Sequence, residues 1–223
     1  MCSKICTKIF NVSKKTDNSA QKACSLIRIN INGKKILDYS IDVFLLDEKC
    51  KQIVLVASAT EHDSLTHLYK NKKIIVVTGG DTRQESVRFA LEHVTLDYVL
   101  VHDGARPFIP EAAIQKILVG LMVNDSVTLG VKAKDTIQEI EGNRIVRTLE
   151  RDRLILTQTP QGFLKDKLVR AHNLALKHEF IGTDDTVLMD EFLKIKALYI
   201  EGDYRNIKFT TIEDIELLEV ILV

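Results

Sequence analysis

The chain has 223 residues, of which 45% are hydrophobic and 28% are charged. These values are ordinary for a globular protein and fit one α/β domain over residues 1–223. Lysine plus arginine equals aspartate plus glutamate at 31 each, which argues against a nucleic-acid partner and requires any anion site to be local. No apolar run reaches the roughly 18 residues needed to span a bilayer, and no signal-peptide segment is evident. We therefore expect a cytoplasmic protein with no membrane partner.

The cysteines do not form a motif. All four lie in the first quarter of the chain, and no Cys-x-x-Cys pair occurs. Because a cytosolic setting disfavours disulfides, we expect buried or terminal thiols rather than bridges or a zinc site. The cysteines are Cys2, Cys6, Cys24 and Cys50.

Apolar runs alternate with amphipathic stretches along the chain, and this pattern predicts βαβ units. The predicted fold is α/β: a doubly wound, mostly parallel, Rossmann-like sheet. The predicted strands are 8–12, 27–31, 53–57, 74–77, 99–101, 126–131 and 197–200. The predicted helices cover 36–46 and 64–70, begin near 82, 110, 183 and 211, and include one over about 164–175.

The stretch from Tyr98 to Phe108 organises the prediction. A buried strand leads directly into His102, Asp103 and Arg106. Ligands of open α/β sheets bind just beyond the carboxyl ends of such strands, so Asp103 is placed to meet a divalent cation and Arg106 an anion. The alternative is that these residues only cap the loop and form a surface ion pair.

A second motif, from Gly79 to Val87, follows another predicted strand. Its two glycines permit close approach of the backbone to a ligand, and Asp81 or Thr82 can cap the helix that begins there. Because a helix amino terminus attracts anions, a nucleotide is reasonable at this position. An ordinary capped turn is the alternative.

Residues 132–153 differ in character from the rest. The segment is charged and alternating around Glu141-Gly142-Asn143, which predicts a β-hairpin arm projecting from the body. Such an arm has little core of its own. We therefore expect it to pack on a second subunit.

In the carboxyl third, Gln158-Thr159-Pro160-Gln161 precedes an amphipathic helix. Thr183 is predicted to cap the next helix, with Asp184 and Asp185 in its first turn. Thr211 and Asp214 have the spacing of a capping box for the final helix.

These motifs together resemble the 2-C-methyl-D-erythritol 4-phosphate cytidylyltransferases of isoprenoid biosynthesis, from about residue 30 to the end. The matching segments are Gly79-Gly80-Asp81-Thr82-Arg83, Ser86-Val87, His102-Asp103-Gly104-Ala105-Arg106-Pro107, Asp135-Thr136, Thr159-Pro160-Gln161, Thr183-Asp184-Asp185 and Asn206-Ile207-Lys208.

The resemblance implies a role for each matching residue. It implies transfer of CMP from CTP to the 4-phosphate, with Asp103, Arg106 and Lys208 catalytic and Asp103 associated with Mg²⁺. It also implies a homodimer in which Thr136 and Arg151 of the arm complete the neighbour's site. The implied nucleotide contacts are Gly80, Asp81, Arg83, Ser86, Asp103 and Ala105, and the implied sugar-phosphate contacts are Arg106, Thr136, Arg151, Thr159, Thr183 and Lys208.

The chain departs from the family at its amino terminus. The family opens with Ala-Ala-Gly-x-Gly-x-Arg-Met-Gly and then Lys-Gln, a loop that wraps the triphosphate. Counting back without gaps places this loop on 13–27, where residues with a Cβ occupy every glycine position and crowd a phosphate loop. The glycine positions carry Lys15, Asp17 and Gln21, the arginine position carries Ser19, and the lysine position carries Leu26.

Several functions remain open at this stage. Lys14, Lys15 or Lys22 could replace the lysine of the family, or the chain could be a catalytically impaired, nucleotide-binding homologue. A pentitol-phosphate cytidylyltransferase shares the scaffold. A dinucleotide-dependent dehydrogenase is disfavoured because no Gly-x-Gly-x-x-Gly follows a predicted strand. A metal hydrolase is disfavoured because the remaining histidines are scattered and predicted to lie on solvated helix faces: His62, His67, His93, His172 and His178.

Overall fold

The computed structural model describes the backbone of residues 6–11, and residues 30–210 and 214 in full. The predicted strand residues 27–29, the polar segment that aligns with the phosphate loop, and Thr211 of the predicted capping box lie outside these ranges. Asp214 is described as helical, and its carboxylate accepts a hydrogen bond from the backbone N–H of Thr210 at 2.7 Å.

Strands and helices alternate as the sequence predicts. The strands are β1 Cys6–Asn11, β2 Asn30–Ile31, β3 Lys34–Lys35, β4 Cys50–Ala57, β5 Ile74–Thr78, β6 Tyr98–Asp103, β7 Ser126–Lys132, β8 Gln138–Glu141, β9 Arg144–Thr148, β10 Ile155–Leu164 and β11 Leu198–Glu201. The helices are α1 Ile36–Leu46, α2 His62–Leu68, α3 Arg83–Glu92, α4 Glu111–Gly120, α5 Lys165–Lys177 and α6 Asp185–Leu193, with a short 3₁₀ helix at Arg151–Arg153.

The main sheet has seven strands in the order β11-β7-β10-β6-β1-β4-β5. All neighbouring pairs are parallel except those of β10, which runs antiparallel to both β6 and β7. The prediction of a mostly parallel α/β sheet is confirmed. The strand at 155–164 was not predicted.

Helices cover both faces of the sheet, as expected for a doubly wound fold. Successive residues of β6 point to opposite faces, so Leu100 packs in one core and Val99 and Val101 pack in the other. Helices α1, α2 and α4 contribute to the first core, and α3, α5 and α6 contribute to the second. β6 therefore has a fully buried, continuous apolar run, because neither of its faces meets water.

The antiparallel strand β10 is irregular at its centre. Its pairing with β7 shifts register between Gln158 and Gln161, at the position of Pro160, which has no N–H to donate to a ladder. Gly162 allows the strand to approach α4 closely, since a Cβ there would lie 2.6 Å from a side-chain carbon of Ile117. The irregularity turns Thr159 toward the end of β6, where its hydroxyl accepts a hydrogen bond from the N–H of Asp103 at 3.0 Å.

The strand order reverses beside Asp103, at the edge of the sheet where open α/β proteins have their ligand crevice. The chain passes from β1 to β4 and β5 on one side and returns to β6 on the other side of β1. Asn11 and Asp103, the last residues of β1 and β6, are paired in register. This change of direction is the switch point at which open α/β sheets bind ligands.

The arm predicted over 132–153 is confirmed as a separate hairpin. β8 and β9 pair with each other in a sheet of their own, and every residue of both strands is exposed. Apolar side chains stand in solvent on this hairpin, with Ile140 66%, Ile145 61% and Val146 55% exposed.

Helix caps follow the predicted chemistry with one change. Thr82 caps α3, and Glu85 completes a capping box by accepting from the N–H of Thr82. The prediction that Thr183 caps α6 is wrong: the side chain of Asp184 accepts from the N–H of Val187, and Thr183 is exposed. A carboxylate is an equally good acceptor at this position and also interacts favourably with the helix dipole.

None of the helices in the described ranges is long and apolar enough to cross a bilayer.

Candidate active site

Asp103 lies at the carboxyl end of β6, where three cationic side chains surround its carboxylate. Lys208 Nζ lies 2.9 Å from Oδ2, Arg106 Nε lies 3.7 Å from Oδ2, and Arg83 Nε lies 3.7 Å from Oδ1. The three cations come from distant parts of the chain: the start of α3, the loop after β6 and the segment before residue 210. The prediction that Asp103 and Arg106 face a common site therefore agrees with this geometry.

Electrostatics keep this carboxylate ionised. Burial of Asp103 would raise its pKa, but the charges of Lys208, Arg83 and Arg106 outweigh burial and hold the pKa far below its ordinary value. Burial lowers the pKa of Arg106, although the charge of Asp103 opposes this. Arg106 remains cationic because an arginine titrates far above neutral pH.

A chain of hydrogen bonds fixes the backbone at Asp103. The Nε2 atom of buried His102 lies 3.0 Å from the carbonyl oxygen of Arg106, and Nδ1 lies 3.1 Å from the hydroxyl of Thr159. A carbonyl oxygen can only accept, so Nε2 carries a proton and donates it to this bond. Thr159 in turn accepts from the N–H of Asp103. His102 thus holds both ends of the loop that carries Asp103 and Arg106.

Arg106 also ties the carboxyl-terminal segment to the site. Its Nη1 donates to the carbonyl oxygen of Asn206 at 2.7 Å, and the N–H of Phe209 donates to the carbonyl oxygen of Ala105 at 2.9 Å. The buried side chain of Asn206 donates to the carbonyl oxygen of Thr159 at 2.9 Å. These bonds anchor the residues on both sides of Lys208 and place its ammonium group beside Asp103.

Arg83 bridges two carboxylates. Its Nη1 lies 2.8 Å from Oδ2 of Asp185, and its Nε faces Asp103. Burial would lower the pKa of Arg83, but Asp185 and Asp103 raise it above its ordinary value. Burial would raise the pKa of Asp185, but Arg83 and a hydrogen bond from His172 lower it to about 2.

The Gly79-Gly80 segment packs tightly on α3. A Cβ on Gly80 would lie 2.5 Å from Cβ of Glu85, so this close approach requires glycine. The N–H of Gly80 donates to the hydroxyl of Ser86 at 3.2 Å, and Ser86 is fully buried. Ser86 therefore supports the backbone of Gly80, whereas Asp81 is exposed. Of the predicted nucleotide contacts on this segment, Gly80, Asp81 and Arg83 therefore have surface that a ligand can reach, and Ser86 has none.

Three predicted residues lie apart from this cluster. Thr136 and Arg151 are exposed on the arm and its base, and Arg151 donates to the carbonyl oxygen of Lys134 at 2.8 Å. Thr183 is exposed before α6. No hydrogen bond or ion pair joins any of the three to Asp103 within the described ranges.

Three buried residues that support the site had no site role in the sequence analysis: His172, Asp185 and Asn206. The prediction that His172 lies on a solvated face is wrong. It is 1% exposed, because α5 turns it inward beside Leu168, Ala171 and Ala175 toward α6. Its position four residues after Leu168 on the apolar stripe is the signal that identifies it as inward-facing.

Comparisons with known proteins agree with this arrangement. The family model described as IspD, 2-C-methyl-D-erythritol 4-phosphate cytidylyltransferase, matches residues 17–223. A protein of that name from Caldanaerobacter subterraneus is 38% identical over 209 residues, covering 90% of this chain and 92% of the relative. One from Bacillus mycoides is 38% identical and covers 85% of each chain.

A solved structure of similar shape carries a related description. The crystal structure of 4-diphosphocytidyl-2C-methyl-D-erythritol synthase from Anaerococcus prevotii has a TM-score of 0.84 and 29% identity, covering 99% of this chain and 96% of that one. Together with the family model, these matches extend over both the sheet and the cluster around Asp103. The chain belongs to the family of 2-C-methyl-D-erythritol 4-phosphate cytidylyltransferases.

Proposed function

We propose that this protein transfers CMP from CTP to 2-C-methyl-D-erythritol 4-phosphate in isoprenoid precursor biosynthesis. An oxygen of the sugar phosphate attacks the α-phosphorus of CTP in line, the bond from that phosphorus to the β-phosphate oxygen breaks, and pyrophosphate leaves. The convergence of Arg83, Arg106 and Lys208 on Asp103 at the switch point supports this proposal. Both reactants are polyanions, and the surplus of positive side chains suits them.

The side chains at this edge supply positioning and charge rather than covalent chemistry. Phosphoryl and nucleotidyl transfers depend mainly on in-line alignment and on stabilising negative charge. Arg106 has a planar fork that can grip a phosphate through two hydrogen bonds, and Lys208 acts as a point charge. Lys208 is half-exposed, so its ammonium group can exchange Asp103 for a phosphate without leaving the site.

Asp103 fits the role of a Mg²⁺ ligand. It is ionised, 9% exposed and at the mouth of the crevice. Mg²⁺ typically takes one or two carboxylates and completes its shell with phosphate oxygens and water. A single carboxylate therefore suffices, and the described ranges contain no cluster of three or more acidic, histidine or cysteine ligands. When bound, Mg²⁺ would supply charge neutralisation at the phosphates.

We also propose that the active form is a homodimer built through the arm. The arm exposes Ile140, Ile145 and Val146, although it adds nothing to either core of the main sheet. Packing on a second copy would remove this apolar surface from water. Thr136 and Arg151 would then reach the partner's crevice. We place the reaction in the cytoplasm, where cells keep CTP.

The direct test follows pyrophosphate release from CTP and 2-C-methyl-D-erythritol 4-phosphate with Mg²⁺. We expect release that needs both substrates, stops when the metal is chelated, and is not supported by a pentitol phosphate in place of the methylerythritol phosphate. Calorimetric binding of CTP without turnover would instead identify a silent homologue. Faster turnover with the pentitol phosphate would contradict the proposed substrate.

The same assay addresses the unusual amino terminus. If a lysine of the polar segment replaces the lysine of the family, one of the variants Lys14→Ala, Lys15→Ala and Lys22→Ala should lose about 10²- to 10³-fold in kcat, since electrostatic groups at the transition state contribute this much. The other two variants serve as controls. If catalysis requires a lysine at the position where the family has one, Leu26→Lys should raise kcat.

A further inference from the structure

A buried polar chain leads from α5 to the active site. His172 and Asp185 are each 1% exposed, and Nε2 of His172 lies 3.0 Å from Oδ1 of Asp185. The other oxygen of Asp185 lies 2.8 Å from Arg83 Nη1, and Arg83 Nε lies 3.7 Å from Asp103. Two side chains, those of Asp185 and Arg83, thus connect His172 to Asp103.

We propose that His172 is a positioning residue for nucleotide binding: its imidazole N–H fixes the carboxylate of Asp185, which in turn aims the guanidinium of Arg83 into the crevice. This inference rests on the proposed function for the identity of the ligand. His172 is 1% exposed and therefore has no surface for a substrate to contact, so we expect it to act through Asp185.

Two carboxylates attract Arg83, so the orientation of its guanidinium is defined only if at least one of them is itself held in place. Its Nη1 and Nε face different acids, Asp185 and Asp103, and a guanidinium is planar, so the direction of one contact sets the direction of the other. When a nucleotide phosphate or metal engages Asp103, the ion pair with Asp185 still holds the arginine. The orientation of Arg83 then depends on how firmly Asp185 is held.

His172 supplies that restraint. Asp185 uses one oxygen for each partner, Oδ1 for His172 and Oδ2 for Arg83. A donor on Oδ1 opposes rotation of the carboxylate, because rotation would break both charge-assisted bonds together. Without His172, Oδ1 would be a buried carboxylate oxygen that has lost its donor.

The imidazole itself gains little from its other nitrogen. Nδ1 of His172 is buried and has no hydrogen-bond partner in the described part of the chain. A buried unpaired nitrogen costs free energy, so the donation to Asp185 is the polar interaction that suits histidine to this position. An apolar side chain would fill the same space among Leu168, Ala171 and Ala175 without that cost.

The test compares three variants in steady-state kinetics. His172→Met fills the site but donates no hydrogen bond, His172→Gln offers an N–H at a similar reach, and Leu168→Val perturbs packing one helical turn earlier on the same face. We expect His172→Met to raise the KM for CTP about 10-fold or more, since misplacement by about 1 Å can cost up to about 10²-fold. The KM for methylerythritol phosphate should stay near the wild-type value.

Rescue separates positioning from packing. His172→Gln should return the KM for CTP to within about 3-fold of wild type, and Leu168→Val should leave both KM values unchanged even where it lowers the Tm. A wild-type KM for CTP in a folded His172→Met protein would overturn the inference, as would an equal rise in Leu168→Val.

A binding measurement keeps the inference separate from the enzyme activity. In wild-type protein labelled with ¹⁵N-histidine, the His172 signal, identified by its loss in His172→Gln, should shift when CTP is added with Mg²⁺. An unchanged signal at saturating CTP would contradict the inference even if His172→Met fails to fold. Absence of turnover in wild type would refute the proposed function alone, since calorimetric CTP affinity still distinguishes His172→Met from wild type.

Discussion

Asp103 has more positive charge around it than its own carboxylate can neutralise. Lys208, Arg106 and Arg83 all face it, and among the residues that the structure describes only Arg83 also forms an ion pair with a second acid, Asp185. A surplus of this kind on partly buried side chains attracts phosphates more strongly than fully exposed lysines would. The acid keeps the three cations together until the ligands arrive.

Replacement of Asp103 by asparagine should damage catalysis more than folding. Asn keeps the shape of the side chain but removes the charge that we propose binds Mg²⁺ and that attracts the three cations, and loss of such an electrostatic group typically costs about 10²- to 10³-fold in kcat. Pyrophosphate release measures the loss, and circular dichroism with thermal unfolding provides the control for folding. Unchanged activity in Asp103→Asn would show that the metal assignment is wrong.

Replacement of Arg106 by alanine should act mainly on the sugar phosphate. Arg106→Ala removes the charge-assisted hydrogen bonds to the phosphate. Because such bonds contribute strongly to binding free energy, the KM for methylerythritol phosphate should rise about 10- to 100-fold. Arg106→Lys is the matched control: it keeps the charge but not the fork that donates to the carbonyl oxygens of Asn206 and Thr157, so its KM should be intermediate. A larger effect on the KM for CTP than on that for the sugar phosphate would contradict this assignment.

For Asp103 and Arg106, the chemistry of the side chain and its position in the sequence indicate the same edge of the sheet. Asp103 and Arg106 directly follow an apolar run, and the end of a buried strand is a place where ligands bind. His172 and Asp185 carry no such signal, because their importance comes from a contact between α5 and α6 that spans 13 residues of sequence. Lys208 was identified from a motif, but its approach to Asp103 depends on tertiary hydrogen bonds at Asn206 and Phe209.

At the scale of elements, the ion pair between Arg83 and Asp185 joins the start of α3 to the start of α6. Asp185 is buried and Arg83 is partly buried, and the two side chains form an ion pair. The link holds two helices of one face in register with the carboxyl edge of the sheet. Their relative position is therefore sensitive to the ionisation of Asp185.

Stability should consequently fall in acid. Asp185 has a pKa of about 2 in the folded protein against an ordinary value of 3.8, so the unfolded chain binds more protons between these values. The stabilisation is complete above about pH 4 and is lost as the pH falls toward 2, with a loss of about 2 kcal/mol from this group. Asp103, whose pKa is also depressed, adds to the loss in the same direction.

Urea unfolding at several pH values checks this prediction. Asp185→Asn should be less stable at neutral pH and should lose less stability than wild type between pH 4 and 2. Asp190→Asn is the control on the same helix, because Asp190 forms an exposed pair with Lys196 and surface pairs contribute little. An Asp185→Asn protein with the wild-type pH dependence would contradict the role given to this carboxylate.

Element prediction failed at β10 for a physical reason. Parallel strands such as β4 and β6 are buried on both faces, and their sequences are therefore continuous apolar runs that are easy to recognise. β10 instead carries polar residues, a proline and a glycine over Gln158–Gly162, which in isolation are typical of a turn. Its strand conformation is imposed by β6 and β7 on either side and by the buried hydrogen bonds of Gln158, Thr159 and Gln161.

At the scale of the whole molecule, the main sheet and its helices form the cores, and the arm contributes to neither of them. The main sheet with its helices buries both faces, whereas the arm stands in solvent with three exposed apolar side chains. The combined change Ile140→Ser, Ile145→Ser and Val146→Ser should therefore leave the monomer fold intact and shift a dimer to monomers. Sedimentation velocity measures the mass, and Leu46→Ser, a change at an exposed residue of α1, is the control. A triple variant that remained dimeric would place the interface elsewhere.

If the arm completes the neighbour's site, two inactive proteins should restore activity when mixed. Asp103→Asn removes the acid of its own crevice, and Arg151→Ala removes the side chain offered to the partner. In a mixed dimer, one crevice then combines Asp103 of one subunit with Arg151 of the other, and the second crevice lacks both. Random exchange makes half of the dimers mixed, so the mixture should recover about one quarter of wild-type turnover for a two-fold symmetric dimer.

The mixing experiment distinguishes this arrangement from one in which Arg151 serves its own subunit. In that case each crevice of a mixed dimer lacks one residue, and no activity returns. Partial unfolding and refolding of the two proteins together ensures exchange, and each variant refolded alone is the control. Recovery should depend on both proteins and reach its maximum at equal amounts. A mixture as inactive as its components, despite dimers of the expected mass, would show that Arg151 does not act across the interface.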